Sequence, residues 1–263
     1  MMIRGFRPLN GRVTTTDRRG ALRAGALLAL TGTLATGCST AQRAPDVARR
    51  SAAPPAPGPR RFPGRPAQIE HGPPDRARVA LTFHGEGDPA TARALLTEAE
   101  RAGARVTVLA VGRWLDAHPT MARRILDGGH ELGNHTQRHL DINTMPEQQA
   151  YAEITACAQR LRRLTGSIGA WFRPSRAHRA SPLVQRLAHR AGYPHVLSYD
   201  LDSLDFTSPG ATAVIRTVAG QVRKGSVVSL HFGYADTVAA LPAVLEEIER
   251  RGLSAVTTTE LLT

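Results

Sequence analysis

Only two cysteines occur in the 263 residues, which leaves no basis for a disulfide-stapled scaffold. Cys38 follows an apolar N-terminal stretch and Cys157 falls in a helical pattern, so no bridge between them is expected and Cys157 reads as a small packed hydrophobe. Aromatic residues make up 5% of the chain, yet 41% hydrophobic content still supports a sizeable core in one large domain or two small ones. A glycine-rich phosphate loop is missing, so a nucleotide cofactor is not indicated. There is no repeat at solenoid spacing. The longest apolar run, Ala24 to Leu34, is too short to span a bilayer stably.

Acidic residues are also scarce relative to arginine, and the formal charge is +12. Such a charge invites a polyanion partner, but its placement argues against one. Residues 1–37 carry six arginines against Asp17, and residues 39–75 carry six against Asp46, Glu70 and Asp75. The remainder is left at +4. That is an ordinary solvated surface, and no nucleic-acid partner is expected.

The first 38 residues read as an export signal: a basic stretch, an apolar stretch, then small residues before Cys38. Asp17-Arg18-Arg19-Gly20-Ala21-Leu22 resembles a twin-arginine signal. Leu34-Ala35-Thr36-Gly37-Cys38 resembles a lipoprotein cleavage box, which implies acylation of Cys38 and attachment to the outer face of the cytoplasmic membrane; simple secretion is the other outcome. Residues 39–75, rich in Ala, Pro and Arg, are expected to form a disordered tether. A folded domain is expected over 76–263.

Within it, short β-branched runs alternate with amphipathic stretches of helix length. Strands are expected at Arg78 to Phe83, Arg105 to Val111, Glu131 to Asn134, Trp171 to Arg173, Val196 to Tyr199, Val227 to His231 and Leu253 to Val256. Helices are expected at Pro89 to Ala102, His118 to Asp127, Pro146 to Leu164, Leu183 to Ala191, Thr212 to Val222 and Val238 to Arg250. This alternation predicts an α/β fold with a parallel sheet, and a closed or incomplete (β/α) barrel is favoured over an open sheet. Ligands then bind at the carboxyl ends of the strands.

Polar residues collect just after the expected strands. They include His84 to Asp88, Asn134 to His139, Arg173, Asp200 to Asp205, and His231. His135 and His139 stand four apart, so one helical turn would let both imidazoles share a divalent ion. A third ligand is needed, and the loop His84 to Asp88 offers candidates. Asp88, beside Pro89, is placed to cap a helix instead.

The order and spacing of these segments, from about Val79 to Val256, resemble those of the polysaccharide deacetylases, carbohydrate esterase family 4. Gly133-Asn134-His135-Thr136-Gln137-Arg138-His139 is similar to the family's HTxxH metal motif. The resemblance implies a distorted (β/α) barrel and a divalent metal, zinc or another transition metal, used to remove acetyl groups from N-acetylated sugars of a polysaccharide or peptidoglycan. It makes His135 and His139 metal ligands. It makes His231, in Ser229-Leu230-His231, the general acid, and Asp202, in Asp202-Ser203-Leu204-Asp205-Phe206, the residue that orients it. Arg173 matches the arginine that pairs with the catalytic base.

The first motif departs from the family pattern Thr-Phe-Asp-Asp-Gly. Here Thr82-Phe83-His84-Gly85-Glu86 puts His84 at the base and Gly85 at a metal ligand. Three accounts stay open. His84 is the base and Glu86 completes the metal shell; or His84 is the third ligand and Glu86, paired with Arg173, is the base; or hydrolysis is lost and the domain is a cell-surface glycan-binding module.

Overall fold

The computed structural model describes residues 55–263. The expected export signal with Cys38, and residues 39–54 of the expected tether, lie outside the described residues.

In chain order the elements are β1 (Gln68–Ile69), β2 (Arg78–Gly85), α1 (Pro89–Arg101), β3 (Thr107–Ala110), α2 (Gly112–Ala117), α3 (Thr120–Asp127), β4 (Glu131–Asn134), α4 (Glu147–Thr165), α5 (Pro182–Arg190), β5 (Val196–Leu197), β6 (Leu201–Asp202), α6 (Ala211–Gln221), β7 (Val227–His231), α7 (Ala235–Arg250), β8 (Ser254–Ala255) and α8 (Thr258–Leu262). Asp88 caps α1, accepting from the Thr91 amide at 3.1 Å, and Pro89 fills the first helical position. Gly166, at φ +80°, ends α4 in the left-handed conformation.

The main sheet runs β4-β3-β2-β7-β6, all parallel, with β8 beside the start of β2. β1 pairs in parallel with β5. The expected strand Trp171 to Arg173 is reduced to single bridges from Phe172 to Asn134 on one side and Val196 on the other. Pro174, which has no N–H to offer, prevents a longer ladder. Gly133 lets this segment come close, since a Cβ there would stand 2.7 Å from the Trp171 carbonyl oxygen.

Residues 196–202 therefore join Phe172 at one end and β7, through Leu201 and Asp202, at the other. The sheet curls round on itself with gaps in its ladder, which is the distorted, incomplete barrel expected.

Side chains alternate across β2 as a strand requires. Val79, Leu81 and Phe83 join the main core under the helices. Thr82 and His84 take the other face, turned to the interior, where Arg173 meets both.

The expected disorder does not extend through residues 55–75. Phe62 is buried and stacks on Trp171 with ring centroids 5.5 Å apart, Ile69 is buried, and the Phe62 amide donates to His195 Nε2 at 3.0 Å. Bulky apolar residues are few in this stretch, but these two are placed to dock it. The folded unit thus includes residues before 76. Among the described residues no helix is long and apolar enough to cross a membrane.

Candidate active site

His84, at the end of β2, meets His135 and His139, which follow β4. One potential ligand atom from each of the three lies within 4.8 Å of the others. The pair His135 and His139 does not sit on a helical turn. It sits on a loop in which Thr136 and His139 adopt left-handed backbone angles, φ 68° and 58°. Three side chains hold that loop. Asn134 accepts from the Thr136 amide at 2.8 Å, Ser175 accepts from the Thr136 hydroxyl at 3.0 Å, and the buried Glu153 accepts from the Arg138 amide at 2.8 Å. Glu153 could have been found from its place on the apolar stripe of α4 beside Ala150, Ile154 and Cys157, where a carboxylate needs a partner.

The geometry frees a lone pair on each of two imidazoles. His135 Nδ1 donates to the Arg173 carbonyl at 3.1 Å, and its buried Nε2 has no hydrogen-bond partner among the described residues. His139 Nδ1 faces Glu86 Oε2 at 3.2 Å. Burial and the neighbouring histidines hold both His84 and His135 well below the ordinary imidazole range, so they are neutral at neutral pH. Three clustered imidazoles, one with an orphaned buried nitrogen, fit a divalent metal of borderline softness such as zinc.

Arg173 is fully buried, and among the described residues no carboxylate contacts it. It donates to Thr82 Oγ1 at 2.9 Å, to the Ser198 carbonyl at 2.8 Å and to the Leu197 carbonyl at 3.3 Å, and it meets His84 Nε2 at 3.3 Å. Burial pulls its guanidinium down to about 10, which leaves it charged at neutral pH.

His231, at the end of β7, lies beside His84 with ring centroids 4.3 Å apart. Its orienting carboxylate is Asp205, not the expected Asp202. Asp205 Oδ1 is 2.7 Å from His231 Nδ1, and Oδ2 accepts from the His231 amide at 2.8 Å and the Thr237 hydroxyl at 2.6 Å. Asp202 accepts instead from the Leu204 amide at 3.0 Å and the Tyr199 hydroxyl at 3.4 Å. Both aspartates belong to one short motif, and only the turn through Leu204, at φ 58°, decides which reaches His231.

Glu86 does not join the three histidines. Arg113 donates to its Oε1 at 2.7 and 3.1 Å, and hydrogen bonds from His139 and Arg113 lower its carboxyl to about 2. It braces His139 from outside the cluster. Gly85 points away: a Cβ there would stand 2.9 Å from Val108 Cγ1 and 3.0 Å from Ala110 Cα.

A cleft of about 360 Å³ opens over these groups, lined by His84, His139, His231, Asp202, Arg176 and the aromatic rings of Tyr199, Phe206 and Tyr234 among others. Larger clefts of about 570 and 620 Å³ lie at the amino ends of the strands, beside Arg78, Arg105 and Glu131, away from the histidine cluster.

Residues 71–196 match the family model described as polysaccharide deacetylase. The chain is 30% identical over 188 residues to a peptidoglycan-N-acetylglucosamine deacetylase of Bacillus cereus, covering 70% of this chain and 87% of the relative. The chain belongs to the polysaccharide deacetylase family. A chitooligosaccharide deacetylase of a Bradyrhizobium species is 26% identical over 197 residues, covering 66% of this chain and 85% of the relative. The family's reaction is hydrolysis of carbon–nitrogen amide bonds in N-acetylated sugars. In fold, the crystal structure of a CE4 family pseudoenzyme from Bacillus anthracis superposes with a TM-score of 0.71 at 22% identity, covering 76% of this chain and 70% of that one. A mutant of that pseudoenzyme with restored enzymatic activity superposes equally well.

Proposed function

We propose that this polysaccharide deacetylase is a metal-dependent hydrolase that removes acetyl groups from N-acetylated sugars of the cell wall, with His84, His135 and His139 as the three metal ligands. The observation that carries this reading is the histidine trio set directly beside the His231–Asp205 pair. A bound divalent ion would lower the pKa of water and polarise the acetamido carbonyl.

The protein's own groups supply the proton transfers. Asp205 keeps His231 Nδ1 protonated, which leaves Nε2 to take a proton from the attacking water. The water oxygen bonds to the acetyl carbon. His231 then returns the proton to the nitrogen as the carbon–nitrogen bond breaks, giving acetate and a free amine. His231 serves both turns because Glu86 is engaged by Arg113 and His139, and because β2 turns Thr82 and His84, not a carboxylate, toward Arg173. Of the three accounts open from the sequence, this takes its ligand from the second and its base from none.

A second reading, a glycan-binding module without turnover, draws on one observation: the buried Arg173 has no carboxylate beside it to act as base. Metal content and acetate release from peptidoglycan and N-acetylglucosamine oligomers separate the two. Stoichiometric zinc with acetate release that is lost in His231→Ala supports the hydrolase; stoichiometric zinc with no acetate from any N-acetylated polymer leaves the binding module. Export with acylation of Cys38 is part of the proposal, supported by the lipobox-like segment, and Cys38→Ala should release the protein from the membrane fraction.

A further inference from the structure

Residues 62–71 run beside β5 as a strap. The stretch that matches the family model begins at residue 71, so the strap precedes it. Both of its ends are pinned. Phe62 stacks on Trp171 and donates its amide to His195 Nε2; at the other end His71 bridges Ser226, and the Gly72 amide donates to the Gly225 carbonyl at 2.7 Å.

The strap pairs with the segment that holds Arg173. Val196 and Ser198 donate their amides to the Ala67 and Ile69 carbonyls at 2.8 and 2.7 Å. The same segment supplies two of the guanidinium's acceptors, the Leu197 and Ser198 carbonyls at 3.3 and 2.8 Å. A buried cation with no acid beside it depends on such acceptors staying in place. Among the described residues β5 has no ladder except the one with β1; on its other side it makes a single bridge to Phe172.

Arg173 in turn touches two of the three clustered histidines. Its guanidinium meets His84 Nε2 at 3.3 Å, and its carbonyl accepts from His135 Nδ1 at 3.1 Å. The buried Gln68 of β1 adds a second connection. Its Oε1 accepts from the Ala180 amide at 2.8 Å, at the end of the loop whose His178 carbonyl accepts from the Ser198 hydroxyl.

We propose that the strap is a positioning segment of the active centre: by holding residues 196–198 it sets Arg173, and through Arg173 it sets His84 and His135. Gln68 is the residue that locks it to residues 178–180. The placement of Arg173 is independent of any metal, while the consequence for zinc rests on the deacetylase reading.

The test uses the full chain with a protease site introduced at the exposed Pro74 and Asp75, between the strap and β2. After cutting, gel filtration in mild urea removes the strap. The first readout is NMR of the metal-free protein, following exchange of the Arg173 Nε–H with water. That exchange should quicken by about tenfold, the equivalent of one lost hydrogen bond. The second is chelator competition, in which zinc affinity should fall by about 10- to 100-fold. Both should return when a synthetic peptide of residues 55–74 is added. Gln68→Met, which keeps the strap attached and removes one bond, should move both readouts in the same direction by a smaller factor, and it decides the matter if the cut protein unfolds. Exchange and zinc affinity that stay unchanged once the strap is gone overturn the proposal. So does unfolding of the cut protein combined with unchanged values in Gln68→Met, which would make the strap a stabiliser of the sheet and nothing more. An uncut protein that binds no zinc refutes the metal reading instead, and the Arg173 exchange still judges the strap.

Discussion

Asp205 grips His231 twice, at 2.7 Å through Nδ1 and at 2.8 Å through the backbone amide. One carboxylate thus fixes both the ring's tautomer and the position of the strand end that carries it. Thr237, on α7, donates to the same carboxylate and ties the pair to the helix that follows β7.

Replacing Asp205 by Asn should lower acetate release on the order of 10²–10⁴-fold, because an amide can present its NH₂ to Nδ1 and force the proton to Nε2. Asp202→Asn should cost much less. Rates measured at saturating substrate, with thermal unfolding of both variants as a control, check the order; equal losses would refute the assignment of Asp205.

Glu86→Gln should weaken zinc binding by about 10- to 100-fold, the usual effect of losing the outer partner of a ligating histidine. Turnover at saturating zinc should largely return. Chelator competition measures the first and acetate release the second. A rate that stays low at full zinc occupancy would make Glu86 a direct participant.

Gly85→Asp should not add a metal ligand. Its Cβ would press on Val108 and Ala110 of β3, so a loss of about 1–3 kcal/mol in urea unfolding is expected, with zinc affinity unimproved. Tighter zinc binding in this variant would show that the strand end can rearrange to offer a carboxylate.

The metal-free protein should lose stability as pH falls below about 6.5, where the histidines of the unfolded chain take up protons. His84 and His135 resist protonation in the fold because their values are held well below the ordinary one. The unfolded state then binds more protons, and stability falls with decreasing pH by up to about 1.4 kcal/mol per pH unit for each such histidine. Urea unfolding at pH 7, 6 and 5 measures the slope, and His135→Asn should flatten it.

Phe62→Ala should destabilise the domain by about 3–5 kcal/mol, the ordinary cost of emptying a buried aromatic site. Chemical denaturation decides it. A loss under 1 kcal/mol would mean that the stack on Trp171 carries little of the fold.

Much of the fold is legible in the sequence because it depends on alternation. β4 and β7 occupy the ranges expected for them, and helices α1, α4, α5 and α6 agree to within a residue or two. What resists reading has identifiable causes. His135 and His139 have helical spacing, but the left-handed turns at Thr136 and His139 depend on contacts from Ser175 and Glu153 that are distant in sequence. Asp202 and Asp205 are equivalent in composition and differ only in which way a turn presents them. The segment before residue 76 looks featureless because its bulky apolar anchors are few, and the partners of Phe62 and Ile69, Trp171 and Leu197, lie more than a hundred residues on.

That docking also bears on how the molecule is made. The contact from Phe62 to His195 spans 133 residues, and the β1–β5 ladder closes a loop of similar size. Contacts so far apart along the chain are entropically expensive to form early. The β2–β3 and β3–β4 pairings, which join neighbouring stretches of chain, should therefore form before the β2–β7 ladder and the seam between β1 and β5, whose partners stand more than a hundred residues apart, and the folding rate should be set by the search for these long-range pairings and respond little to the strength of any one helix.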